Sequence, residues 1–184
     1  MSSSTRVSKI ASLVSLMVLS SFTQAQEEQF CLSTAPMSAS TEQFRAFESG
    51  QVLHLSTNLM WMRCALGQTW DGETCLGEAN PYTWKEALDS SVSYEFNGSS
   101  NWRLPNIKEL SSITERSCTR PSINEELFPN TRPDDFWTST PSMTDPERAW
   151  VVAFFNSSNS IKEKNRAVFV RLVRTPTALE IETE

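Results

Sequence analysis

Two groups of residues in this chain have the types and spacing to do chemistry: four cysteines, and a crowd of cations toward the C-terminal end. Cys31, Cys64, Cys75 and Cys118 make an even count that suits two disulfides and allows three pairings. Gly67 and Gly72 let the stretch between Cys64 and Cys75 double back, which favours Cys64–Cys75 and leaves Cys31 to Cys118. A zinc centre would need clustered ligands, but there is no CxxC pair and His54 is the only histidine, so no metal or cofactor is expected. His54 lies among apolar residues with no carboxylate or serine motif beside it, and reads as a packed or surface residue rather than a base. Lys162, Lys164, Arg166, Arg171 and Arg174 share a stretch with a single acid among them, Glu163. A basic hairpin on an acidic protein suits a sulfated or phosphorylated ligand; it equally suits a solvated edge whose lysines deter strand pairing. Trp70, in the cysteine loop, is the tryptophan expected to be exposed, and most of the six are expected in the core.

The elements that must position these residues start after a removable leader. Arg6 and Lys9, an apolar run from Ile10 to Leu19 and the small-residue end Thr23-Gln24-Ala25 describe a secretory signal peptide over residues 1–25. The run contains Ser12 and Ser15 and falls short of the roughly 20 apolar residues a membrane span needs. Removing it takes Arg6 and Lys9 and moves the formal net charge from −6 to −8, which argues against nucleic acid or an anionic membrane as partner. No later segment is apolar enough to span. The expectation is an exported protein of the periplasm, cell surface or extracellular space, where disulfides persist.

Residues 26–50 read as an arm fastened through Cys31, with a short helix around Thr41–Glu48. Apolar runs on both sides of Ser56-Thr57-Asn58 predict a hairpin over 52–62. Thr83 and Glu86 have capping-box spacing ahead of Trp84, Ala87 and Leu88, so a helix follows. In Asn101-Trp102-Arg103-Leu104-Pro105-Asn106, Pro105 holds Leu104 extended, and Asn106 caps a new helix with Glu109 reaching back to it. Strands are predicted at 136–140, 150–155 and 167–173, with a loop at 156–160 and a mobile acidic tail over 175–184. The domain proper is 51–174.

Several spaced motifs then resemble one family. Leu59-Met60-Trp61-Met62-Arg63-Cys64, Gly67-Gln68-Thr69-Trp70-Asp71-Gly72, Tyr82-Thr83-Trp84 and Trp102–Leu110 are similar to the C-terminal domain of the Legionella collagen-like adhesin, the Lcl C-terminal domain. Phe128-Pro129-Asn130-Thr131, Phe136-Trp137-Thr138-Ser139 and Val170-Arg171-Leu172-Val173-Arg174 extend the resemblance in the same order, over roughly residues 50–174. It implies an α+β, C-type-lectin-like fold: two helices packed on short twisted antiparallel strands, stapled by disulfides. In function it implies an exported non-enzymatic binding module, adhesin-like or envelope-associated, for glycan or sulfated polysaccharide and other envelope proteins. Lys162, Lys164, Arg166 and Trp70 are its candidate ligand-binding residues. Two alternatives stand beside it, an enzyme or maturation factor of the formylglycine-generating type and a structural surface subunit. The first lacks the late cysteines of those enzymes, since none follows Cys118. A lectin-type calcium site is poorly matched as well: Asp134 and Asp135 follow Pro133, but the Trp-Asn-Asp run is missing.

Overall fold

The computed structural model describes residues 28–182, and the expected signal peptide lies outside them. Short antiparallel strands dominate, with a few short helices. The arm begins with β1 (Phe30–Cys31), and a 3-10 turn at Thr41–Gln43 leads directly into β2 (Phe44–Ala46). The helix expected around 41–48 is therefore replaced by a strand. Phe44 must be extended to pair with His54 and stack on its ring at 4.4 Å, a tertiary contact that overrides local preference.

β3 (Gln51–His54) and β4 (Leu59–Met62) form the predicted hairpin, and every residue of both is buried. Alternation sends their side chains to two different cores. Val52 and Trp61 face one that holds Ile113, Phe128, Phe136 and Val152; Leu53 and Met60 face the other, with Ala87, Trp102, Trp137 and Val151. β5 (Thr69–Trp70) and β6 (Cys75–Leu76) make a small hairpin inside the cysteine loop. α1 (Trp84–Val92) then packs Ala87 into the second core, and α2 (Ile107–Ser111) packs Leu110 into the first. The two helices thus pack into different cores. Both helices start with a complete capping box, Thr83 with Glu86 and Asn106 with Glu109. At the second, Arg103 grips Glu109 through two contacts of 2.7 and 2.8 Å, so the carboxylate serves cap and ion pair together.

β7 (Cys118–Thr119) pairs with β1, and the Cys31–Cys118 disulfide joins residues directly opposite each other; Cys64 is bonded to Cys75. The fully buried Glu115 accepts from the backbone N–H groups of Ser38, Ala39 and Ser117, which fastens the arm a second time.

β8 (Asp135–Pro141), β9 (Arg148–Ala153) and β10 (Ser158–Glu163) form a three-stranded sheet in the order β10-β9-β8. β10 occupies much of the expected loop at 156–160. Its polar side chains hide a strand whose pairing comes from the backbone of β9. The expected strand at 167–173 is reduced to β11 (Val173–Arg174) on β4. Ahead of it Val168 bridges to Tyr82 and Phe169 to Phe136, so this segment changes partners and stitches the three-stranded sheet to the four-stranded one. The tail expected to be mobile carries α3 (Ala178–Glu182), held by an ion pair from Glu180 to Arg174.

Arg171, in the middle of the stitch, is fully buried. It donates to the carbonyls of Met62 (2.9 Å) and Arg63 and to the Thr131 hydroxyl (2.7 Å), and its guanidinium stacks 4.9 Å from the Phe128 ring. Burial pulls its pKa down to about 9, so it remains a cation at neutral pH.

Two stability outcomes follow. Asn106→Ala should cost about 1 kcal/mol in urea unfolding with an unchanged m-value, because two N–H groups lose their cap. Arg171→Ala should cost about 3 kcal/mol or more, because carbonyls lose their donors and a cavity opens between aromatic rings. A near-neutral Arg171→Ala would show that the carbonyls find other partners.

Candidate functional site

The basic residues near the C-terminal end do not gather into one patch. Arg171 and Arg174 are buried, which corrects their placement on a basic hairpin. Lys162 lies 2.9 Å from the Asp135 carboxylate, and the Lys164 ammonium sits 4.2 Å above the Trp84 ring and donates to the Pro146 carbonyl at 2.6 Å. Arg166, its side chain 63% exposed, approaches Glu163 at 3.8 Å, and Arg148 takes the same carboxylate at 2.8 Å. The hairpin is a mixed-charge surface, with Lys164 on Trp84 as its aromatic–cation pair. Trp70 belongs to the other hairpin and is half-buried rather than exposed. Its Nε1 donates to the Glu48 carbonyl at 2.8 Å, Arg63 covers its ring at 4.1 Å, and it leans on Gly50, where a Cβ would meet it at 2.5 Å.

The Trp102–Leu110 joint builds a different site. Arg103 pairs with Val173 through reciprocal backbone hydrogen bonds of 2.9 and 3.0 Å, which brings β11 alongside and sets Arg174 over the Trp102 ring at 5.1 Å. Just before the joint, Asn97 and Gly98 both take positive φ (50° and 72°) inside a Phe96–Ser99 bridge, the tight hairpin turn that an Asn-Gly pair encodes. Between this loop, 97–101, and the tail lies an open cleft of about 420 Å³. Arg174, Thr177 and Glu180 form its other side.

The cleft combines two chemistries. Arg174 is nearly fully buried and forks onto Glu180 through contacts of 2.8 and 2.5 Å, while Gln51 accepts from it at 2.7 Å. Its Nε has no partner among the described residues. Thr177 also donates to Glu180, through N–H at 2.7 Å and hydroxyl at 2.9 Å. The Arg174 guanidinium, with burial opposing it and Thr177 assisting, holds the Glu180 carboxyl down at about 2 against an ordinary 4.5. On the opposite wall, the Ser99 and Ser100 hydroxyls make no side-chain hydrogen bond among the described residues. Asn101 uses its amide nitrogen on the Thr175 carbonyl at 3.1 Å. An array of neutral donors and acceptors beside a buried cation suits a polyhydroxylated ligand.

Sequence reasoning overlooked this cleft, although Thr177 and Glu180 have the same spacing as the Thr83–Glu86 cap. All four cysteines are bonded, which leaves no thiol for the cysteine chemistry of the formylglycine-generating enzymes. Among the described residues, no group of three or more His, Cys, Asp or Glu is placed to hold a metal ion, and no helix is long and apolar enough to cross a membrane.

The ion pair has a pH signature. A depressed carboxyl stabilises the fold fully above its unfolded value, near 4.5, and that contribution is lost as pH falls toward about 2. Titration of Glu180 by carboxyl NMR should give a midpoint near 2, rising to an ordinary carboxylate value in Arg174→Met.

Two comparisons with known proteins bear on these observations. No curated protein matches the chain. A family model described as the Lcl C-terminal domain matches residues 50–174.

Proposed function

The chain belongs to the Lcl C-terminal domain family, and from that premise we propose that it is an exported, non-enzymatic binding module holding a glycan between the 97–101 loop and the tail. The observation that carries this reading is the cleft itself, with unengaged hydroxyls of Ser99 and Ser100 facing a buried, Trp102-backed guanidinium. Sugar hydroxyls both donate and accept, so a wall of hydroxyls and amides suits them. A C-type-lectin-like architecture belongs to the same reading, because it assigns binding to loops on a scaffold stapled by disulfides. Two closed disulfides fit an extracellular or envelope setting, where thiols oxidise, and an adhesin-like or envelope-associated role. A sulfated polysaccharide would use a second surface, at Lys162, Lys164 and Arg166. The Lys164–Trp84 stack, a half-buried cation on an aromatic face, favours it.

A glycan array followed by calorimetry separates these surfaces. Ser99→Ala with Ser100→Ala should weaken the preferred glycan about tenfold or more with an unchanged melting temperature, the effect of two lost hydrogen bonds. Replacing Lys162, Lys164 and Arg166 by Ala should leave that glycan unaffected and reduce heparin retention at low salt. Failure of the wild-type protein to retain any glycan would sink the reading.

A further inference from the structure

The ion pair on the cleft wall has the form of a bound ligand. Arg174 presents a guanidinium fork, fixed from behind by Gln51 and by the Trp102 ring, and the group seated in the fork is the carboxylate of Glu180. Planar two-point recognition of this kind is how arginine selects carboxylates in general. The fork belongs to the body of the domain, since Arg174 lies on β11 between the Val173–Trp61 and Arg174–Met60 pairings and the Arg103 bridge. Its occupant belongs to a five-residue helix, too short to be stable by itself.

That helix packs little apolar surface. Besides the fork and the Thr177 cap on Glu180, its contacts include the Arg45 guanidinium on the Ile181 carbonyl at 2.9 Å, the Asn101 amide on the Thr175 carbonyl, and Ile181 partly buried against the second core. Leu179 is 70% exposed. Removing Glu180 from the fork would therefore free little packed surface, and it would open an acid-binding position on the cleft wall opposite the free hydroxyls. If an external carboxylate took that place, one buried ion pair would replace another, and Arg174 would not be left as an uncompensated buried charge. Exchange is the low-cost way to open this site, whereas emptying it is not.

We propose that Glu180 is an internal stand-in for the carboxylate of an acidic sugar of the uronic-acid type, and that such a ligand displaces α3 from Arg174. The inference rests on the glycan reading of the same cleft and adds to it the ligand class and a built-in competitor. The ligand carboxylate takes the fork of Arg174, and its ring hydroxyls face Ser99, Ser100 and Asn101. The mature tail sets the threshold, because the ligand must outcompete a carboxylate tethered a few residues away.

The test uses the full exported chain and two probes, a glucuronic-acid disaccharide and its neutral glucose counterpart, titrated into wild type, Glu180→Gln and Arg174→Met. Glu180→Gln keeps the size of the tail residue but weakens its hold on the fork, and should bind the acidic probe at least tenfold more tightly with no change for the neutral one. Arg174→Met should lose the preference for the acid. Hydrogen exchange gives a readout independent of the variants: the acidic probe should raise exchange of the 178–182 amides in the wild-type protein, and the neutral probe should not. Equal acid affinity in wild type and Glu180→Gln, or unchanged exchange at saturating acid, overturns the displacement while leaving glycan binding intact. Loss of both probes from every chain overturns the glycan reading itself.

Discussion

A buried cation without a carboxylate partner governs how this domain closes. Among the described residues Arg171 has no acid beside it; its two terminal nitrogens donate to the backbone carbonyls of Met62 and Arg63 and to the Thr131 hydroxyl, its Nε has no partner, and its flat faces lie along Phe128 and Phe136. Those partners come from the end of β4, from the loop before β8, and from β8 itself. A charge in the interior is tolerable only when hydrogen-bonded, so the stitch carrying Arg171 has one acceptable path between the two sheets. The partner changes at Val168 and Phe169 on one side and at Val173 on the other follow from that path.

Three residues farther on, Arg174 solves the same problem differently. It too is buried and stacked on an aromatic ring, but its counter-charge comes from Glu180 on a short helix at the periphery. Carbonyls of the sheet cannot leave Arg171 without unfolding the sheet, whereas the carboxylate at Arg174 can leave with its helix. The first arginine is therefore a fixed part of the scaffold. The second is a position where an acid is required and its source is exchangeable.

Much of the local architecture was legible in the residues. The Thr83–Glu86 and Asn106–Glu109 caps and the hairpin around Ser56-Thr57-Asn58 each depend on side chains within a few positions of the backbone they organise. Errors arose where a distant partner decided the outcome. Phe44 is extended because His54 and Phe128 receive it; β10 exists because β9 offers a free edge; α3 is ordered because Arg174 waits for Glu180. The candidate site suffered most. A run of cations looks uniform in sequence, yet Lys164 lies on a half-buried tryptophan, Arg166 on an exposed turn, and Arg171 and Arg174 in the interior.

The Trp102–Leu110 joint shows where the division falls. By itself the sequence determined that an extended segment ends at Pro105 and that a helix capped by Asn106 begins, because those forces act over one turn of chain. Only the tertiary structure decided that Arg103 would pair with Val173, that Trp102 would lie under Arg174, and that a cleft would open between the loop at 97–101 and the tail. Backbone pairing and ring stacking between residues some seventy positions apart depend on how every intervening element packs, and no short-range pattern carries that information.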